Sequence, residues 1–216
     1  MAEEYKVGFR TEADNQRTEA VLDRDSVLIT RDWVIMEAKQ GNLYHVQQGD
    51  AGTKLAFAET AYDEDQPQFA LRIPTGVTLI PVRLAITLED LAGTENHVFW
   101  STTTNDIGNG TSTAATISNM RAQSGKNSGV TARSLYTANA TAATGLIEVH
   151  RFYRPFASAA ATDGFKPEDY IWDRLIHSNI PILDGPATLQ AHIYGGTAPH
   201  GFGEYFFVAK PTTDTI

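Results

Sequence analysis

Between residues 78 and 89 apolar and polar side chains alternate almost without a break. Ile80, Val82, Leu84, Ile86 and Leu88 fall on one side, and Pro81, Arg83, Ala85, Thr87 and Glu89 on the other. A period of two sends successive side chains to opposite faces of a pleated strand, so this run reads as a half-buried antiparallel strand. Pro81 lacks an N–H and predicts an edge position or a bulge near the strand start. Residues 92–94 (Ala-Gly-Thr) then turn the chain into residues 97–101, which predicts a hairpin between the two runs. Residues 188–194 repeat the alternation, with Leu189, Ala191 and Ile193 inward.

The remaining segments agree with an all-β chain. Apolar runs at 27–29 and 34–36 flank Trp33, and the β region is expected to begin near Ser26. Gly41-Asn42 turns into a strand over 43–48, residues 49–52 form a second turn, and 54–60 and 69–73 read as further strands. Pro74-Thr75-Gly76 has the order of a type II turn. Residues 146–156 and the aromatic run 204–210 complete the set, with a turn at 184–186. A helix is expected over 167–175, with Pro167 in its first turn. About eight to ten short strands with little helix predict an antiparallel sandwich or barrel.

Residues 26–210 are expected to form one β-sandwich domain. Residues 1–25 are charge-rich and mixed in sign, and read as an extended N-terminal arm that orders against a neighbour, or as a short helix over 15–22. Residues 211–216 form a C-terminal tail.

Residues 101–145 are nearly devoid of charge: only Asp106, Arg121, Lys126 and Arg133 carry any, among Ser, Thr, Ala, Asn and Gly. A long connection without its own structure is uncommon in a compact domain and tends to be functional. Disordered linkers carry more charge and proline than this. The segment is therefore read as a long loop whose small hydroxyl and amide side chains pack against another copy of the chain. Its apolar residues Ile107, Ile117, Met120, Leu135 and Tyr136 are the expected oligomer interface, with Arg151 and Arg154, near Glu148, as inter-subunit ion-pair formers.

Composition removes several classes. The net charge is −9 with no cluster of Lys and Arg, which opposes direct binding to nucleic acid or to an anionic membrane. The absence of Cys excludes disulfides and thiolate metal sites. No apolar run is long enough for a bilayer-spanning helix, and residues 1–25 lack the apolar core of a secretory signal, so synthesis in the cytoplasm is expected.

Chemistry-bearing motifs are sparse. His45, His97, His150, His177, His192 and His200 do not follow the spacing of a cupin metal site, and His192, His200 and Glu204 are the nearest approach to a metal triad. Residues 63–65 (Asp-Glu-Asp) lack the alternation of a calcium loop and read as a solvated turn. Residues 106–111 hold one carboxylate and read as an Asn109-Gly110 turn. No nucleophile elbow or phosphate-binding glycine loop is present. No catalytic residue, metal or cofactor is expected. Trp33, Trp100, Trp172, Tyr153, Tyr194 and Tyr205 are candidates for a sugar-stacking platform, set against the commoner role of strand aromatics in cores and interfaces.

The stretch 73–81 (IPTGVTLIP), the long alternating strand, the Gly110-Thr-Ser-Thr-Ala segment and the Arg151-Phe-Tyr-Arg-Pro run together resemble the virion structural proteins of bacterial viruses. These are jelly-roll coat, minor capsid and decoration proteins. The resemblance implies a jelly-roll-like antiparallel β-sandwich with long loops. It also implies a non-enzymatic role in forming, cementing or decorating a phage capsid. Its partners would be copies of itself, most often as a trimer, and other capsid proteins; its place would be the virion, after synthesis in the host cytoplasm. Two other readings stand beside it: a carbohydrate- or receptor-binding β-sandwich module, and a cupin-like metalloenzyme.

Overall fold

The structure is a computed structural model that describes residues 6–10, 17–21, 33–49, 53–57, 61–90, 95–155, 168–177, 180–195 and 199–213. The expected strand over 27–29 lies outside these residues, as does much of the turn at 49–52. The chain divides into two compact units, Met1–Met36 and Glu37–Ile216.

In the first unit, β1 (Lys6–Arg10) and β2 (Arg17–Val21) pair antiparallel, with Lys6 opposite Val21 and Arg10 opposite Arg17. Two paired strands thus lie in the stretch read as an extended arm or as a short helix over 15–22, and residues 11–16 between them lie outside the described residues. In β2, charged Arg17 and Glu19 alternate with Thr18 and Ala20, which suits a strand better than a helix.

Helix α1 (Trp33–Gln40) replaces the extended run expected over 34–36. Its later residues Glu37, Ala38, Lys39 and Gln40 are strong helix formers and outweigh the β-branched pair before them. Gly41, at φ +77°, stops it: its N–H and that of Asn42 donate to the carbonyls of Ala38 and Glu37.

The second unit carries β3 (Leu43–Gln48), β4 (Leu55–Ala56), β5 (Phe69–Ile73), β6 (Val77–Asp90), β7 (Glu95–Thr103), β8 (Thr111–Ala115) and β9 (Ile117–Asn119). It continues with β10 (Thr131–Ala138), β11 (Ile147–Pro155), β12 (Glu168–Asp173), β13 (Leu183–Asp184), β14 (Ala187–Gly195) and β15 (His200–Pro211). One sheet runs β8-β10-β5-β14-β7-β11 and the other β9-β3-β15-β6-β12, with β13 beside β6 and β4 beside β15. Eight of these strands form the frame: β3, β5, β6, β7, β11, β12, β14 and β15. Numbered one to eight along the chain, they lie in the orders 1-8-3-6 and 2-7-4-5. First pairs with last, second with seventh, third with sixth and fourth with fifth. That is a long antiparallel hairpin rolled into two sheets, the wrapping of a jelly roll.

The inner faces meet in one core that includes Val46, Leu71, Leu84, Ile86, Val98, Trp100, Trp172, Ile193 and Phe207. Phe69 of β5 and Tyr205 of β15 stack across the gap at 3.8 Å and 5°.

Four local expectations change. First, β6 and β7 do not form a hairpin; they lie in opposite sheets, because the roll pairs β6 with β12 and β15 and β7 with β11 and β14. Second, the alternation in β6 changes phase. Phe206 opposes Arg83 and Phe207 opposes Pro81, so Val82 is an extra, bulged residue. Leu84, Ile86 and Leu88 face the core, and ahead of the bulge the core position passes to Leu79, leaving Ile80 and Val82 outside the main cluster. Pro81 therefore marks a bulge and not an edge. On its other side β12 pairs only as far as Arg83 and β13 takes over at Leu79, so the proline falls in the gap between them.

Third, β12 stands where a helix was expected. Tyr170 and Trp172 are buried while Asp169 is exposed and Ile171 and Asp173 are half-buried, a period of two hidden by the preceding proline. Fourth, residues 101–145 are not one loop. They finish β7 and then supply β8, β9 and β10; β10 pairs with β5, β8 with β10, and β9 with β3. Thr, Val, Ile and Tyr within the segment suit strands. The insertion thus adds strands to both sheets on one side of the sandwich and covers the edges that β3 and β5 would otherwise present.

Candidate interaction surfaces

The insertion is largely bound by its own chain. Ile107 and Tyr136 are buried, with Ala70, in a small cluster on the outer face of the β5–β10 region. Arg72 clamps the loop above them. Its Nε donates to Asp106 Oδ1 at 2.5 Å and its Nη2 to Oδ2 at 2.6 Å, and Nη1 also donates to Asn109. The guanidinium beside it holds the Asp106 carboxyl below the usual range, against an opposing contribution from burial. The Tyr136 hydroxyl donates to the Gly108 carbonyl at 3.0 Å, and burial pushes its pKa up. Thr188 Oγ1 adds a hydrogen bond to the Asn105 carbonyl.

The expected interface residues therefore separate. Ile107 and Tyr136 are interior residues of the chain itself, a correction that follows from this clamp. Ile117 and Leu135 are partly buried against the main core. Leu135 takes φ +52°, unusual for a residue with a Cβ, and this local twist lets Leu135 pack on the core while Tyr136 joins the outer cluster. Met120 is exposed just beyond β9. Arg151 is exposed and ion-pairs with Glu148 at 3.1 Å within the same chain. The Arg154 side chain lies outside the described residues; its backbone pairs with Asn96.

A tier of rings covers the outer face of β14, β7 and β11. Register sets His192, Phe99 and Arg151 side by side, and Tyr194, His97 and Tyr153 in the next row. Tyr194 and His97 stack at 4.5 Å and 7°, His97 and Tyr153 approach at 4.7 Å, and the Arg151 guanidinium lies 4.5 Å from the Phe99 centroid. Tyr62 comes over the top, 5.0 Å from His192 and 5.7 Å from Phe99. His192 is thereby sealed in, and burial lowers its pKa to about 4, partly opposed by Asp63. Tyr62 and Tyr153 keep exposed ring surface. Of the six aromatics proposed as a sugar platform, Trp100, Trp172 and Tyr205 are core residues, Tyr153 and Tyr194 belong to this tier, and Trp33 lies on α1.

The other side of the sandwich, where β11 and β12 are the outermost strands of their sheets, is aliphatic. Ile147, Ile180 and Ile182 are 60 %, 42 % and 55 % exposed and line a recess of about 350 Å³ with Thr102, Glu148 and Leu183. Leu146 adds to the same side. The turn after β12 carries Leu175 and Ile176, each 76 % exposed. That turn is firmly built: Arg174 N–H donates to Val82 O, Leu175 N–H to Asp173 Oδ1, and the N–H groups of Ile176 and His177 to Asp173 O. The His177 ring packs 4.5 Å from His150 of β11 and ties the turn to the strand. Sequence reading missed this surface. Its signal is aliphatic pairs in turns, Leu175-Ile176 and Ile180-Pro-Ile182, where neither period of two nor of 3.6 buries them.

The metal triad does not assemble. His192 lies in β14 of one sheet and Glu204 in β15 of the other, where Glu204 pairs with Arg83 at 2.6 Å and His45 at 3.4 Å. Among the described residues no three His, Cys, Asp or Glu side chains gather as metal ligands. In the 63–65 turn Asp63 accepts from Asp65 N–H and Gln66 Nε2, a local turn cap. No protein family matches the chain, and neither the curated proteins nor the solved structures offer a match.

Proposed function

We propose that the chain is a non-enzymatic virion structural protein that forms, cements or decorates a capsid through contacts between copies. The observation that carries this reading is the aliphatic side at β11 and β12. Taking roughly 200 Å² for a fully exposed Leu or Ile, its six residues together expose on the order of 600–700 Å², mostly apolar, comparable with the largest patches of a monomer and close to one partner's share of a stable interface. On the opposite side the insertion adds strands to both sheets, and among the described residues Met120 is the large apolar side chain it leaves exposed there. The jelly-roll wrapping supports the reading, since viral coat domains are among the proteins that use it, although lectins and cupins use it too.

Light scattering coupled to size exclusion gives the absolute mass. A discrete oligomer at micromolar concentration, reduced to monomer by Ile147→Asp with Ile182→Asp, is the expected result; a monomeric wild-type chain overturns the reading. The ring tier favours a second reading, a saccharide-binding module, because exposed tyrosine faces stack on the apolar faces of sugars. Glycan-array binding that Tyr153→Ala abolishes would establish it.

A further inference from the structure

We infer that copies of this chain join by seating the Leu175–Ile176 turn of one in the Ile147/Ile180/Ile182 recess of another. The inference rests on the self-assembly reading above and specifies the contact. Knob and recess share a largely aliphatic chemistry, with Thr102 and Glu148 the polar residues of the recess lining. A cavity of roughly 150 Å³ lined by such residues already holds a benzene ring, so a recess of about 350 Å³ has room for the two side chains of the turn. The two features are also close in the fold. His177 ends the turn and touches His150, Ile147 lies three residues before His150 along β11, and Ile180 three residues after His177. Burial of both removes the largest aliphatic exposure of this side in a single contact.

Two further observations favour a second copy as the occupant. The turn is held by four hydrogen bonds from backbone N–H groups and a ring contact, so little conformational entropy is lost when it docks. Two carboxylates beside the contact are already engaged: Glu148 on the recess rim is bound by Arg151, and Asp173 accepts from Leu175 N–H. Two copies of a chain with net charge −9 can therefore approach here without setting bare carboxylates against each other.

The chain has no cysteine, so single cysteines report the contact cleanly. Ile176→Cys and Ile182→Cys are each made alone, at exposed positions whose substitution leaves the core intact. The expected result is a disulfide-linked dimer on mild oxidation of the mixed variants, at least tenfold above the yield of either variant alone. Wild-type mass is measured in parallel. An oligomer by mass with no preferential mixed cross-link overturns this contact and leaves the assembly reading standing. A wild-type monomer overturns both.

Discussion

Acidification should destabilise this fold through one residue, His192. The ring lies in β14 beneath Tyr62 and beside Phe99, and burial lowers its pKa to about 4. In the unfolded chain an ordinary histidine titrates at about 6.5. The native value is the lower one, so the unfolded state binds the proton first as pH falls. The contribution is fully present above about pH 6.5 and is lost progressively down to about pH 4. Each pH unit in that window removes about 1.4 kcal/mol, so the loss is about 2 kcal/mol at pH 5 and about 3 kcal/mol by pH 4. For a urea dependence of about 2 kcal/mol per molar, the midpoint should fall by about 1 M between pH 7.5 and pH 5 on this account alone. Other groups titrate over the same range, so the test is a difference. His192→Gln keeps a polar side chain of similar length without the titration, and its neutral-pH cost cancels when each protein is compared with itself. The variant should lose about 2 kcal/mol less than wild type over that interval. Equal losses in both proteins would refute the reasoning and mean that the ring is solvated, with Tyr62 not closed over it.

Three further outcomes are expected. Lys210 Nζ lies 3.4 Å from Glu37 Oε1, both side chains are buried, and Glu37 also accepts from Asn42 Nδ2 at 2.7 Å. Lys210→Met should cost about 3–5 kcal/mol by leaving a buried carboxylate uncompensated, and Lys210→Met with Glu37→Leu should recover most of it in a denaturant melt. Tyr205 is fully buried on Phe69 and its hydroxyl has no hydrogen-bond partner among the described residues, so Tyr205→Phe should raise stability by about 1 kcal/mol; a loss would show that a water or a distant group satisfies the hydroxyl. Burial and then the neighbouring His177 lower the His150 pKa, against a smaller opposing effect of Glu148. In an NMR titration His150 should protonate below the ordinary histidine value, and His177→Gln should move it upward.

Much of the frame could be read from local alternation, because a half-buried strand writes its period directly into the chain. Residues 188–194 show this plainly: Leu189, Ala191 and Ile193 are inward in β14, as their spacing says. What local alternation does not hold is partnership. β6 and β7 are adjacent in sequence and look like a hairpin, yet the roll places them in opposite sheets, a choice set by pairing each with strands far along the chain. The bulge at Val82 is equally non-local. It exists because β15 runs past β6 out of step, and it reassigns the inward residue from Ile80 to Leu79. The small-residue insertion misled for a related reason. Its side chains are too short to mark a face, so three strands in residues 111–138 carry little periodic signal.

The exposed aliphatic surface was hidden by the opposite problem. A reading that looks for unusual composition finds residues 101–145, and there Ile107 and Tyr136 turn out to be satisfied inside the chain by the Arg72 clamp. The residues that remain unsatisfied, Leu175 and Ile176 above all, look ordinary in sequence because aliphatic side chains are the default content of a core. They become informative only once the core is complete without them. The frame has two sides. The insertion covers the one where β3 and β5 would end the sheets, and among the described residues no strand does the same for β11 and β12. A chain that adds strands to both sheets on one side while holding a rigid aliphatic turn in solvent on the other has its exposure organised by the fold. The side it leaves uncovered is where a second copy should first be sought.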